Sequence, residues 1–251
     1  MHDPDARRAA LVTGGARRIG AAIVRALHGS GLDVVIHCNT SRAEADCLAR
    51  ELDAQRPGSA HVLQGDLARF DRLAELVAQV VGRYGRLDAL VNNASAFFPT
   101  PIGTVTPAQW DALFASNARA PFFLAQAAAP HLAHARGAIV NLVDIHAAHA
   151  LRDHAPYVMA KAALVAGTRA LAVDLAPHVR VNAVAPGAIL WPEHGDDESG
   201  EARRAALLAR TPLARTGTPG EVAEAVRWLL LDATYCTGQV IDVDGGRTLQ
   251  A

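Results

Sequence analysis

Ala9-Ala10-Leu11-Val12-Thr13-Gly14-Gly15-Ala16-Arg17-Arg18-Ile19-Gly20 is the stretch that decides the fold. Ala9 to Thr13 is an apolar run too short for a helix and stopped by Gly14-Gly15, so it reads as a buried strand. Helical spacing of apolar residues follows from Ile19 to His28. A strand that ends in a glycine turn and opens a helix suits a dinucleotide. Glycine lets the backbone approach phosphate, and free N–H groups at the helix start favour an anion. The G-x-G-x-x-G spacing itself is absent, and a tight turn without ligand is the competing reading.

The same alternation continues along the chain. Strand runs at Val34 to His37, His61 to Leu63, Ala89 to Asn92, Ala138 to Val143, Val179 to Val184 and Val240 to Val243 are separated by longer amphipathic stretches. Those helical stretches are Ala43 to Leu52, Leu73 to Val81, Trp110 to Leu132, Ala155 to Leu175 and Val222 to Leu231. Thr106-Pro107 offers an N-cap and first-turn proline for the long one. Strands alternating with helices imply parallel strands joined by right-handed crossovers, hence an α/β doubly wound sheet. No linker or repeat interrupts it, so residues 1–251 read as one domain, with 1–8 as a flexible N-terminal tail. Polar Trp191 to Gly200 reads as a surface loop over a substrate, or as an inert one.

Composition narrows the function. The 251 residues are 51% hydrophobic and 20% charged, with net charge −1. That is an ordinary globular balance with no global pull toward nucleic acid or an anionic membrane. No apolar run reaches the roughly 18 residues that span a bilayer, and the N-terminus lacks the apolar core of a signal peptide. Cys38, Cys47 and Cys236 are odd in number without C-x-x-C spacing, so they read as reduced thiols in a cytoplasmic protein. His146, His149 and His154 lack the matched second motif of a metal site, so no metal is expected. Asp242-Val243-Asp244-Gly245-Gly246 reads as a turn after the last strand rather than a calcium loop.

Two constellations carry chemistry. The second strand ends in His37-Cys38-Asn39-Thr40-Ser41-Arg42, with no acid before Glu44 to take a ribose 2′-hydroxyl. Arg17, Arg18, Thr40, Ser41 and Arg42 instead suit an adenosine 2′-phosphate, since guanidinium pairs with phosphate. Cations at a helix start oppose its dipole unless an anion sits beside them. NADPH is therefore expected over NADH. Of 24 basic residues 23 are Arg, and the one lysine, Lys161, stands one helical turn after Tyr157. An ammonium beside a phenol is expected to lower its pKa and make a usable proton donor.

With these residues together, the chain resembles the short-chain dehydrogenase/reductase family over essentially its whole length. The turn Thr13 to Gly20, Asp66-Leu67, Asn92-Asn93-Ala94, Asn117, Tyr157/Lys161 and Pro186-Gly187 carry the likeness. It implies a Rossmann-like domain with a seven-stranded parallel sheet, usually in a homotetramer. The cofactor would lie along Gly14, Arg17, Arg18, Ile19, Gly20, His37, Asn39, Thr40, Ser41, Asp66, Leu67, Asn93, Ala94, Ser95, Leu142, Tyr157, Lys161, Pro186, Gly187 and Ile189. Tyr157 would donate the proton, Lys161 would also hold the ribose, and Asn117 would help hold a relaying water.

Two departures sharpen the resemblance. Arg18 replaces the family's middle glycine, and Asp144 stands thirteen residues before Tyr157 where the family has its catalytic serine. Both resemble the pteridine reductase branch, as do Asn93 to Pro101 and Gly187 to Glu193. That likeness implies a pterin stacked by Phe97, bonded by Ser95 and Arg18, and walled by Trp191. Asp144 beside Tyr157 suits imine reduction, where a proton must reach nitrogen. The expected function is NADPH-dependent reduction of 7,8-dihydropterins, with dihydrofolate as a further substrate. The alternatives are a carbonyl reductase for 3-oxoacyl thioesters or sugars, and a catalytically silent NADPH-binding sensor.

Overall fold

The structure is a computed structural model that describes residues 7–189 and 205–250. Seven strands form one all-parallel sheet in the order β3-β2-β1-β4-β5-β6-β7. In chain order they are β1 Ala9–Val12, β2 Asp33–Cys38, β3 Ala60–Gln64, β4 Ala89–Asn92, β5 Ala138–Leu142, β6 Arg180–Pro186 and β7 Val240–Val243. The helices are α1 Arg18–Gly29, α2 Arg42–Gln55, α3 Leu73–Tyr84, α4 Pro107–Phe114, α5 Ala120–Ala135, α6 Ala155–Asp174 and α7 Pro219–Leu231, with a short one at 205–209.

Strand side chains alternate between two apolar layers, because successive residues point to opposite faces. Ala10, Val12, Val34 and Ile36 pack with Ile23, Leu27, Leu48 and Val226. Leu11, Val35 and Ile139 pack on the other face with Val77, Leu124 and Leu171. Both faces being covered explains why β1 and β2 read as continuous apolar runs. A buried polar line crosses the second layer. Asn92 Nδ2 donates to Asn141 Oδ1 at 2.8 Å, and Asn141 Nδ2 donates to Thr168 Oγ1 at 2.8 Å. It fixes β4, β5 and α6 in register.

Strand order reverses between β1 and β4, so the crevice beyond their carboxyl ends is the natural ligand position. Two expectations change. Trp110 to Leu132 is not one helix: Ala115–Arg119 is a π-helical turn between α4 and α5. Arg7 and Arg8 are tied down: Arg7 pairs with Asp33 at 3.3 Å, and Arg8 O accepts from Asp33 N. Residues 1–6 and the expected loop Trp191 to Gly200 lie outside the described residues. Among the described residues, no helix is long and apolar enough to cross a membrane.

Candidate active site

The glycine turn is built around Thr13. Its Oγ1 accepts from Asn93 N at 2.9 Å and Ala94 N at 3.0 Å, while Asn93 Nδ2 donates to Thr13 O and Gly14 O. A Cβ on Gly20 would stand 2.1 Å from Gly14 O and 2.7 Å from Asn93 Nδ2, so only glycine lets α1 begin this close to the turn. His37 braces the turn from β2. Gly14 N donates to His37 Nδ1 at 3.3 Å, and His37 Nε2 donates to Gly65 O at 3.0 Å. The neutral Nε2–H tautomer satisfies both bonds. Burial lowers the His37 pKa to about 4, opposed by its bond to Gly65 and by Asp66.

Helix α1 starts with no side-chain cap and no acid in its first turn. Its exposed N–H groups and dipole therefore favour an anion from outside the helix. A cavity of about 800 Å³ opens there and runs to Tyr157. Gly14, Arg17, Arg18, Ile19, Gly20, His37, Asn39, Thr40, Ser41, Asp66, Leu67, Asn93, Ala94, Ser95 and Phe97 line it. The close glycine cradle, the bare helix start and the length of the cleft fit a dinucleotide. Asp66 is the only carboxylate among the described lining residues.

Not every expected contact is brought here. Arg42 turns away to Asp46, 2.9 Å along its own helix, and leaves the cation cluster. Arg17 lines the cavity but also pairs with Glu44 at 3.6 Å. Leu142, Lys161, Pro186, Gly187 and Ile189 are not in the cavity wall. Leu142 contributes only its carbonyl, to Lys161, and Ile189 packs in the core. Trp191 lies outside the described residues.

At the far end Tyr157 Oη donates to Asp144 Oδ2 at 2.6 Å. Asp144 is itself held, since its Oδ1 accepts from His146 N at 2.8 Å and caps the 3₁₀ turn Ile145–Ala147. Burial, then the charge and hydrogen bond of Asp144, push the Tyr157 pKa up; only Ser95 lowers it. The direction is opposite to the lowering expected from Lys161. Lys161 Nζ donates to Leu142 O at 2.7 Å and stands 5.9 Å from the Tyr157 ring centroid. Its own pKa falls to about 8, because burial of the ammonium outweighs the attraction of Asp144.

Asn117 sits in the π-helical turn, fully buried. Its Nδ2 donates to Leu113 O at 3.0 Å and Ala96 O at 2.8 Å, and its Oδ1 accepts from Ser95 Oγ at 2.7 Å. The side chain thus holds the 95–96 segment in place. Phe97, 57% exposed, meets Tyr157 edge-on at 4.8 Å and stacks on His154 at 4.6 Å. Ser116, whose Oγ accepts from Ala96 N and donates to Ala112 O, carried no sequence signal. His154, weighed in the sequence only as a metal candidate, is the residue before α6 and lies against Phe97. Among the described residues no group of three or more His, Cys, Asp or Glu could hold a metal.

Comparison with known proteins agrees with this geometry. A family model described as Enoyl-(Acyl carrier protein) reductase matches residues 14–248. An uncharacterized oxidoreductase of Mycobacterium tuberculosis is 40% identical, over 96% of this chain and 92% of its own. Pteridine reductase 1 of Leishmania tarentolae is 37% identical, over 96% of each chain. L-fucose dehydrogenase of Bos taurus is 38% identical, over 97% of this chain and 90% of its own.

Proposed function

The chain belongs to the short-chain dehydrogenase/reductase family, and from that premise we propose that it is an NADPH-dependent pteridine reductase. Its substrates would be 7,8-dihydropterins, including dihydrofolate, and its products tetrahydropterins. The observation that carries the reading is the 2.6 Å bond from Tyr157 to Asp144, beside the exposed ring of Phe97. An acid in place of a serine suits a substrate whose nitrogen needs a proton and whose amino groups need an acceptor. The flat face of Phe97 suits a flat heterocycle.

The nicotinamide cofactor, when bound, supplies the hydride. Arg17, Arg18, Thr40 and Ser41 would hold its phosphates, and their hydroxyls and guanidiniums favour NADPH. Lys161 would hold the ribose. Asp144 keeps Tyr157 protonated by its charge, so the phenol retains the proton it must deliver. Asn117 positions Ser95, and Ser95 with Arg18 would bond the pterin. The exposed apolar side chains Trp110, Phe122 and Met159 on α4, α5 and α6 support a homotetramer. A cytoplasmic location belongs to the same reading.

NADPH oxidation with dihydropterin, compared with NADH, is the test. Turnover should vanish in Tyr157→Phe and fall at least about 100-fold in Asp144→Ala, the size of a lost general acid–base contribution. Undiminished turnover in either variant would remove that residue's role. The L-fucose dehydrogenase relative favours a second reading, a sugar carbonyl substrate. Sugar turnover without pterin turnover would replace the first.

A further inference from the structure

A second cavity, about 140 Å³, lies between the turn after β5 and the C-terminal end of the chain. His146, His149, Arg210, Arg247, Thr248 and Gln250 face it. These residues come from three separate stretches, and the local structure explains why they meet. Asp244 accepts from Gly246 N and Thr248 N, each at 2.8 Å, and so holds the turn that carries Arg247. Gly245 O accepts from Leu213 N at 3.1 Å, and a Cβ on Gly245 would stand 2.8 Å from Thr211 Cγ2. Only glycine lets that turn press against 211–213, next to Arg210. Asp144, by capping the 3₁₀ turn, sets His146 on the opposite wall.

Among the described residues, the cavity wall carries two guanidiniums and no carboxylate. Arg210 and Arg247 form no ion pair among the described residues, whereas Arg25, Arg42, Arg72, Arg86 and Arg215 each hold a carboxylate within 2.9 Å. The nearby Asp144 and Asp244 direct their oxygens to Tyr157, His146 N, Gly246 N and Thr248 N. His146 Nδ1 is buried without a well-formed hydrogen bond, and the His149 backbone is a partner of its ring. A ligand oxygen in the cavity would give that nitrogen a further partner.

We propose that this cavity is an anion-binding site for one carboxylate or phosphate group, separate from the cofactor cleft. Two permanent guanidiniums give paired donors in a planar fork, the geometry that carboxylate and phosphate oxygens fit. Thr248 and Gln250 add neutral polar groups. The volume holds a few waters at roughly 30 Å³ each, so it takes a single oxyanion and not a nucleotide. The group arrives either as a free ion or as the acidic tail of a substrate. The second source rests on the pteridine reading, in which dihydrofolate carries a glutamate and simple dihydropterins carry none.

Thermal unfolding in potassium phosphate against potassium chloride, at equal ionic strength, tests the site. The wild type should show a saturable rise in Tm with phosphate. The double variant Arg210→Gln/Arg247→Gln should bind phosphate at least about tenfold more weakly, the loss of a charge-assisted pair. No saturable rise, or the same rise in the double variant, would overturn the site. Turnover then separates the sources. A KM increase for dihydrofolate alone assigns the site to the substrate tail, and unchanged KM values with lost phosphate affinity assign it to a free anion. If no pterin is turned over, the phosphate titration still decides the site, and only the proposed function fails.

Discussion

Arg18 has a left-handed backbone, φ +51°, at the position where the family resemblance leads one to expect glycine. An L side chain there costs about 1–2 kcal/mol, and the chain bears that cost with a guanidinium facing the cleft. Arg18→Gly should therefore leave unfolding stability equal or higher by up to about 1 kcal/mol, since relieved strain is partly offset by glycine's entropy. The same variant should raise the KM for NADPH about tenfold, as expected for a lost charge-assisted contact. Chemical denaturation and steady-state kinetics measure both, and an Arg18→Gly enzyme with unchanged KM would show the arginine idle. Asp144 lends itself to a pH experiment. Its negative charge helps raise the Tyr157 pKa, so Asp144→Asn should move the alkaline limb of the kcat/KM profile to lower pH. An unmoved limb would mean that a different group sets it.

Elements make sites that single residues cannot. The π-helical turn Ala115–Arg119 frees Leu113 O for Asn117 Nδ2, and that side chain anchors Ala96 and Ser95. Such turns gather at functional positions, and here the interruption fell inside a stretch whose periodicity read as one helix. A π turn shifts the helical phase by one residue, but apolar residues are so dense in 110–132 that the spacing hides it. The turn after β1 has the reverse history. Its role was legible from Gly14, Gly15 and Gly20, but its brace was not. His37, neutral and buried, links β1's turn to β2 and β3. Its folded pKa of about 4 lies below the ordinary 6.5. The stability it confers is complete above pH 6.5 and is lost as pH falls toward 4, in total about 3 kcal/mol by linkage. His37→Gln should lack this loss, so urea midpoints of the two proteins should converge between pH 6.5 and 4. Parallel midpoints would contradict a buried neutral histidine.

The whole molecule places its chemistry by topology. The strand order reverses at β1 and β4, and the cleft opens beyond their carboxyl ends. Tyr157 reaches it from α6 and Phe97 from the segment after β4, while Asp144, beyond the end of β5, stands behind Tyr157. Exposed apolar side chains stand on neighbouring helices, where the proposed homotetramer would meet: Trp110 stacks on Phe114, and Phe122 and Met159 stand on α5 and α6. Phe122→Glu/Met159→Glu should lower the assembly state seen by light scattering, because buried like charges without partners resist association. A tetramer that survives both substitutions would locate its interface elsewhere.

The parallel α/β fold, the glycine turn after the first strand and the placing of Tyr157 and Lys161 one turn apart on α6 were determined by the sequence alone. Strand length, helical period and i, i+4 spacing are local properties that short stretches encode. Only the tertiary structure decided that Asp144, and not Lys161, is bonded to Tyr157, and that Arg42 leaves the cleft for Asp46. It alone brought Arg210, Arg247 and His146 around one cavity. Those outcomes depend on burial and on side chains meeting across elements far apart in the chain, where low dielectric turns a few ångströms of placement into a different charge balance.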